Sequence, residues 1–250
     1  MKRINFQKFK REQRKVTKKY VTFGERIFLN ALKEQAENYQ DFRPEIMEEA
    51  YLKFYETVFV DSAKRGLKIV RDTNRKAMID SAFFLTSWQA WIRDFVRNDI
   101  IMRELITNVN ARTLREIATA LSEGIRLGLP FSELSNSIVK YVASQSRARG
   151  IAVTEATRAN AEGKKRSSDD WEKETGLQLW KLWIHSGNPR EPRNNHISLE
   201  NRPVRKELLF ENGLDKPGDP NGPASETVRC QCSIVYISQD YVEEYFQAFA

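Results

Sequence analysis

Side chains that bind soft metals are confined to one stretch of this chain, residues 180–237. The stretch contains all the histidines and cysteines of the 250-residue sequence, which are His185, His196, Cys230 and Cys232. Imidazole and thiolate are the usual ligands of structural zinc. A bound metal would also suit a small, loop-rich part of the chain that lacks a large core of its own. The sequence therefore predicts a structural zinc site formed by His196, Cys230 and Cys232, with His185 as the fourth ligand.

The spacing of the two cysteines leaves a second interpretation open. Cys-x-Cys is less typical of zinc sites than Cys-x-x-Cys, and the separations along the chain match no standard finger. A cysteine in a strand is also an ordinary small apolar residue. Under this interpretation Cys230 and Cys232 pack inside the protein, and His196 makes structural hydrogen bonds without a metal.

Histidine chemistry offers a third interpretation. His196 with Asp215 or Asp219 could form the acid–base pair of a hydrolase, and His196 with Arg190 and Arg193 would suit a nuclease pocket. No nucleophile elbow, Walker loop, HExxH motif or glycine fingerprint accompanies these residues in the sequence. We therefore expect a non-enzymatic protein, and we keep a nucleic-acid-acting hydrolase centred on His196 as the alternative.

Positive charge is concentrated at the N-terminus. The net charge is +7, but residues 1–20 contain nine Lys or Arg and one acid, so the rest of the chain is nearly neutral. Basic terminal segments commonly contact nucleic acid or acidic protein surfaces. We predict that residues 1–20 are a flexible tail that binds DNA or a protein partner, with a merely solvated segment as the alternative. The candidate contact residues are Lys2, Arg3, Lys8, Lys10, Arg11, Arg14, Lys15, Lys18 and Lys19.

Helical periodicity runs through the first two-thirds of the sequence. It predicts helices over about 23–40, 44–64 and 110–127, a helical pair across 65–98, and helices over 132–144 and 147–166. Asn110 is the expected N-cap of its helix, and Gly128 with Pro130 the expected stop. The stripe Phe84, Trp88, Trp91 and Phe95 is interpreted as the core of a helical bundle, with a subunit interface as the alternative.

The pattern changes after residue 176 to short apolar runs separated by Pro, Gly and Asn. Leu179–Ile184 and Cys232–Ile237 are predicted strands, 202–204 a short strand, and 216–223 an irregular loop. The fold class is therefore α+β, largely helical and then β-containing and loop-rich. We divide it into the tail 1–20, a helical region 21–100, a domain 101–240 and a C-terminal amphipathic segment 241–250.

Composition limits the protein's class. No apolar run approaches the roughly 20 residues that span a bilayer, so we expect no membrane span. The basic N-terminus lacks the apolar region of a secretory signal. Two cysteines one residue apart make no disulfide framework, which favours a reducing compartment.

Several short motifs, taken in their order over about 101–237, are similar to those of a known family. The helix ending in Gly-Leu-Pro is followed by RARGIAVTEATRANAEG, in which the matching residues are Arg149, Thr154, Glu155 and Arg158. A Trp…Arg-x-x-His pattern and a closing Cys-x-Cys come next, carried by Trp183, Arg193, His196, Cys230 and Cys232. In this order the motifs resemble the minor head, or head morphogenesis, proteins of tailed bacteriophages, of the phage Mu F-like type. The chain departs from the family pattern at Val153, Asn188 and Asn201.

The resemblance implies a structural protein of the virion, located in the head interior or portal region and assembled in the host cytoplasm. Its partners would be the portal protein, other head proteins and its own copies. Its role would lie in head assembly and in DNA packaging or delivery. Packaged DNA would then be the partner of the basic N-terminal segment.

Overall fold

The structure, a computed structural model of the single chain, describes residues 4–74, 79–185 and 193–246. None of the helices in these ranges has the length and apolar composition needed to cross a membrane. The elements, in chain order, are α1 (Phe6–Glu37), α2 (Glu45–Thr73), α3 (Leu85–Asn98), α4 (Ile100–Arg126), α5 (Phe131–Val142), α6 (Gln145–Thr175), β1 (Leu179–Ile184), α7 (Asn194–Ser198), β2 (Pro203–Arg205), α8 (Ala224–Thr227), β3 (Ser233–Ser238) and α9 (Gln239–Tyr245). The fold is α+β, as the sequence predicts.

Helix α6 forms the centre of the molecule, because α1 and α2 both pack along it. The Ser144 side chain caps its start by accepting a hydrogen bond from the Arg147 amide. Gly176 ends it in the left-handed conformation, with φ of +67°. Between these ends the buried residues are mostly small or polar, and a helix so built can approach its neighbours closely.

Gly163 lies where α6 packs closely on α2. A methyl group at this position would collide with the Phe59 carbonyl oxygen and lie 3.1 Å from the Ala63 nitrogen. Around this contact, one apolar core extends from Tyr20 in α1 to Tyr236 in β3. The core therefore crosses the boundary that we predicted between residues 100 and 101.

The aromatic stripe of α3 belongs to this core. Phe84, Trp88 and Phe95 are buried, and Trp91 stacks on Phe59 with ring centroids 4.9 Å apart. The Trp88 indole donates a hydrogen bond of 2.7 Å to Asp170 of α6. The bundle-core interpretation of this stripe is thus the one that fits the structure.

The predicted N-terminal tail is wrong as a description of the segment from Phe6 onward. That segment is the first half of α1, capped by Asn5. The segment is held in place because Gln13 and Tyr20 are buried, and these buried contacts stabilise its helical conformation.

The N-cap prediction for Asn110 is also wrong. Asn110 lies inside α4, where its side chain bonds Gln35 and the Pro44 carbonyl oxygen.

The sheet of the described residues is antiparallel with strand order β2-β1-β3. β1 pairs with β3 over its whole length, from Leu179 opposite Ser238 to Ile184 opposite Ser233. The predicted strands are confirmed, with β2 and β3 each starting one residue later than expected. Helix α9 follows β3 directly, and its Tyr241 hydroxyl accepts a hydrogen bond of 2.6 Å from the Ile4 amide.

Close packing at Gly163 gives a prediction about stability. Gly163→Ala should lower the free energy of unfolding by about 2–3 kcal/mol, because the new methyl group meets backbone atoms that cannot yield cheaply. Chemical denaturation measures the change. The control is Gly150→Ala in the same helix, where the methyl group meets only the end of the Arg229 side chain, at 3.3 Å. That variant should stay within about 1 kcal/mol of the parent, and equal losses in the two variants would contradict the close-packing argument.

Lys164, the next residue of α6, is fully buried. Its ammonium group donates to Gln13 Oε1 at 2.9 Å and to Ser233 Oγ at 2.7 Å. Burial, with a smaller contribution from the positive charge of Arg65, lowers the Lys164 pKa to about 7. Between pH 7 and the ordinary lysine pKa, the unfolded chain therefore binds more protons than the folded one.

This difference predicts that the folded state gains stability as pH rises through that window. Between pH 7 and pH 9 the free energy of unfolding should increase by about 2 kcal/mol relative to Lys164→Met, which lacks the titrating group. Urea denaturation of both proteins at several pH values measures the difference. Parallel stability curves would show that Lys164 keeps its ordinary pKa in the folded protein.

Candidate metal centre

His196, Cys230 and Cys232 come together in one buried cluster, although more than thirty residues separate the histidine from the cysteines. Their ligand atoms all lie within 4.8 Å of one another. His196 Nδ1 is 3.7 Å from Cys230 Sγ and 3.6 Å from Cys232 Sγ. The three residues are 1%, 2% and 5% exposed, respectively. Tetrahedral zinc with its usual bond lengths separates nitrogen from sulfur by about 3.6 Å, so the cluster has suitable dimensions for a metal ion.

The histidine ring is oriented by a carboxylate. His196 Nε2 lies 2.7 Å from Glu226 Oε2 of α8, and the ring packs edge-on against Trp183 with centroids 4.8 Å apart. Because the ionised carboxylate only accepts, it favours a proton on Nε2. The lone pair of Nδ1 then faces the two sulfur atoms. A carboxylate behind a ligating histidine is the usual outer partner in zinc sites.

The cysteines are positioned by the turn that follows α8. Arg229 takes a left-handed conformation there, with φ of +56°, and its amide donates to Thr154 Oγ1 of α6 at 3.0 Å. The Thr157 hydroxyl donates to the carbonyl oxygen of Cys230. The Cys232 amide points at Cys230 Sγ, 3.5 Å away. The turn is thus tied to the central helix on both sides of the first cysteine.

The two thiols influence each other's ionisation. The hydrogen bond with Cys232, followed by burial, raises the pKa of the Cys230 thiol well above its ordinary value. Two neighbouring buried thiols resist ionisation because burial disfavours each thiolate and the two negative charges would repel each other. A divalent cation would offset those charges and release the protons. The cluster could therefore bind a metal ion, and its three side chains leave one position of a tetrahedron open.

His185 is absent from the cluster that the described residues form. It stands at the end of β1 and lines a cavity with Lys10 and Gln13 of α1. The proposed hydrolase pairs are also not formed. Asp215 bonds Lys181 at 2.5 Å, and Asp219 accepts from backbone amides of its own loop.

Glu226 is the functional side chain that sequence reasoning missed. The signal available was a carboxylate in a short polar segment, four residues before the first cysteine. Many acids satisfy such a description, so the signal was weak.

Of the two arginines suggested for a nuclease pocket, Arg190 lies outside the described residues, and Arg193 donates to the Val228 carbonyl oxygen at 2.8 Å.

Two further residues of the family-like motif on α6 contact other parts of the protein, the loop over 216–223 and helix α2. The Arg158 guanidinium bonds Glu155 at 2.5 Å and the Gly218 carbonyl oxygen at 3.3 Å. Glu155 also accepts from the Tyr55 hydroxyl of α2 at 2.8 Å. Arg149 differs, because it is exposed and pairs with Glu25 of α1 at 3.0 Å.

The irregular loop over 216–223 is held by buried charges. Lys216 pairs with Glu162 of α6 at 3.1 Å, and both side chains are nearly inaccessible. Lys181 of β1 pairs with Asp215 at the start of this loop. Opposite charges in this position offset the cost of removing each from water. The loop that leads to the cysteines is therefore fixed to the helix and the sheet.

The basic N-terminal residues are distributed along α1. Lys2 and Arg3 lie outside the described residues, and Lys10 pairs with Glu200 at 2.5 Å. The remaining members are exposed on the helix surface, namely Lys8, Arg11, Arg14, Lys15, Lys18 and Lys19.

Comparison with protein-family models, with curated proteins and with solved structures finds no match to this chain. The resemblance to phage minor head proteins stays a prediction.

The cluster predicts which side chains a bound metal requires. Cys232→Ser should abolish stoichiometric metal binding and lower the melting temperature of the metal-loaded protein, because one of three ligands is lost. Glu226→Gln should keep the metal but weaken its affinity roughly 10–100-fold. Elemental analysis, competition with a chelator and thermal melting measure these effects.

The matched control is His185→Ala, which removes a histidine outside the cluster. It should retain the metal in full. Loss of metal in His185→Ala, or a parent protein that binds none, would contradict the assignment.

Proposed function

We propose that this chain is a structural minor head protein of a tailed bacteriophage, whose C-terminal part is held together by a zinc ion on His196, Cys230 and Cys232. The observation that carries the proposal is that residues of the family-like motif come together in the folded protein. Residues of the family-like motif lie far apart in sequence, yet Thr154 and Arg193 both bond the turn that leads to Cys230 and Cys232, and His196 faces those two cysteines. Motif residues that lie together in the folded protein act together, and this supports the interpretation that their order in the sequence comes from the family.

Internal bonding of the site favours a structural role. His196 is 1% exposed, one ring nitrogen faces Glu226 and the other faces the two sulfur atoms. A general base needs a ring nitrogen within reach of substrate. The buried Glu155–Arg158 pair is similarly occupied by contacts within the protein. Catalysis by a hydrolase centred on His196 would require this arrangement to open.

Zinc is the metal that fits the donor set best. One imidazole nitrogen and two thiolates form a soft set that suits a four-coordinate ion without redox chemistry. When bound, the ion supplies positive charge next to two adjacent thiolates. Glu226 would hold the imidazole, and α6 would hold the turn that carries both sulfurs. A fourth ligand, supplied from outside His196, Cys230 and Cys232, would complete the tetrahedron.

The proposal also concerns the protein's partners and its location in the virion. We place the protein in the head interior or portal region of the virion, in contact with the portal protein, other head proteins and its own copies. Packaged DNA would meet the basic face of α1. Because Gln13 and Tyr20 of that helix are buried, deleting residues 1–20 would damage the fold as well as remove charge.

Virion composition tests the proposal directly. The chain should be found by mass spectrometry in purified virions of the phage that encodes it, and it should co-purify with the co-expressed portal protein of that phage. Cys232→Ser should reduce incorporation at least severalfold, because the C-terminal part loses its metal. Absence from virions, with full recovery in the unassembled host lysate, would refute the structural assignment.

A substitution at the histidine separates the two functions. His196→Cys offers a third thiolate in place of Nδ1 and can keep zinc, whereas His196→Ala cannot. A structural role predicts that His196→Cys restores incorporation relative to His196→Ala. A hydrolase predicts nucleic-acid cleavage by the parent that disappears in both variants.

A further inference from the structure

A cavity of about 390 Å³ lies between α1, α6, the end of β1 and the segment that enters β3. We call it the α1 cavity. Its cationic lining residues are Lys10, Arg14, Lys18 and Arg149, and His185 stands beside them. Among the described residues, no Asp or Glu lines it. Two of these cations pair with carboxylates, Lys10 with Glu200 at 2.5 Å and Arg149 with Glu25 at 3.0 Å.

The floor of the cavity presents an oriented amide. Gln13 is 8% exposed and lines the cavity, and its Oε1 accepts from Lys164 at 2.9 Å and from the Ser233 hydroxyl at 3.3 Å. An ammonium group can only donate, so the oxygen of this amide must face Lys164. The amide nitrogen then remains as a donor, and it forms no hydrogen bond with the residues that the structure describes. An acceptor bound in the cavity could therefore receive a hydrogen bond from it.

In its protonated form, Lys164 adds a buried positive charge behind the amide. Its hydrogen-bond partners, Gln13 and Ser233, are neutral, and the Phe9 ring lies 5.9 Å from Nζ. In the described part of the chain no carboxylate pairs with it. An anion in the cavity would therefore offset a charge that the protein leaves uncompensated.

We propose that the α1 cavity binds a phosphate group, carried by a nucleotide or by a nucleic-acid strand. Its lining includes guanidinium, ammonium and amide donors, and a phosphate offers several acceptor oxygens to match them. Val21, Val153 and Ile184 line the remaining wall and give an apolar surface to the group attached to the phosphate. The inference rests on this lining alone and does not require the virion assignment.

A shallow depression continues from the cavity along α1. It shares Lys18 and Thr22 with the cavity and adds the further basic residues Lys15, Lys19 and Arg26. Phosphates of a strand leaving the cavity would follow these side chains. Nucleic-acid strands commonly bind along such cationic tracks.

Titration calorimetry of the full chain at low salt tests the proposal. The probes are inorganic phosphate, pyrophosphate, a 5′-phosphorylated dinucleotide and the same dinucleotide without its 5′-phosphate. We expect saturable binding of pyrophosphate, and tighter binding of the phosphorylated dinucleotide than of its unphosphorylated form. Stronger binding of the dinucleotide than of pyrophosphate identifies a nucleic-acid source, and the reverse identifies a free phosphate. Failure of the parent to bind any probe at millimolar concentration would overturn the proposal.

Gln13→Glu is the decisive variant. Its carboxylate still accepts from Lys164 and supplies the missing counter-charge, so the fold should be retained. The same charge should repel phosphate and replace the amide donor, which weakens binding roughly tenfold or more. Gln7→Glu is the matched control, because Gln7 is exposed on α1 and lies outside the cavity lining. It should change the affinity less than about threefold, and equal losses in the two variants would overturn the site.

A second pair of variants covers the case in which Gln13→Glu fails to fold. Arg14→Gln with Lys18→Gln removes two exposed charges at the cavity, and Lys8→Gln with Arg11→Gln removes two exposed charges elsewhere on α1. Only the first pair should weaken pyrophosphate binding by about tenfold. In nuclear magnetic resonance spectra of the parent, the amide signals of Gln231 and Ser233 should move on addition of pyrophosphate. Shifts confined to exposed residues of α1 would show surface binding instead.

Discussion

The closeness of α6 to α1 and α2 is the constraint on which the rest of the structure depends. Small residues at the contact, above all Gly163, bring backbones together and leave little room for apolar side chains on that helix. The positions that remain are filled by polar and charged groups. Each of these must find a partner, because an unpaired polar group is costly in a dry interior. The loops and strands after residue 176 supply many of those partners.

Helix α6 therefore acts as a scaffold for irregular backbone. Thr154 and Thr157 bond the turn before the cysteines, Arg158 bonds Gly218, and Glu162 pairs with Lys216. Loops with few apolar contacts are usually free to move. Here the polar face of a rigid helix determines their course. Three soft ligands can then meet in a buried place where irregular backbone joins the apolar core.

Sequence reasoning found the elements with strong periodicity and missed what depends on tertiary contact. The strands, the Gly128 stop and the trio His196, Cys230 and Cys232 followed from composition and spacing. The helical state of the basic N-terminus did not, because Gln13 and Tyr20 become buried only against residues far along the chain. In α4 the apolar residues Leu114 and Ile125 are exposed while Ile117 is buried. Periodicity identifies a helix but leaves its neighbours undetermined.

Two of the site assignments show the same limit. His185 shares its residue type with His196, but the end of β1 carries it to the α1 cavity. Glu226 carries no distinctive signal in sequence, and only the arrangement of α7 and α8 brings it to the histidine ring. Residue types indicated that soft-metal chemistry was available. The partners that decide each residue's role came from the fold.

The Cys-x-Cys spacing has a consequence for communication across the molecule. Successive residues of an extended chain point to opposite sides, so Cys230 and Cys232 face His196 while Gln231 and Ser233 line the α1 cavity. Four consecutive residues thus form a partition with a different occupant on each side. If either occupant shifts this partition, it changes the affinity for the other, and thermodynamic reciprocity requires the same factor in both directions. The Cys-x-Cys spacing, which is unusual for zinc sites, is thus the feature that would couple the binding of the two ligands through one segment of backbone.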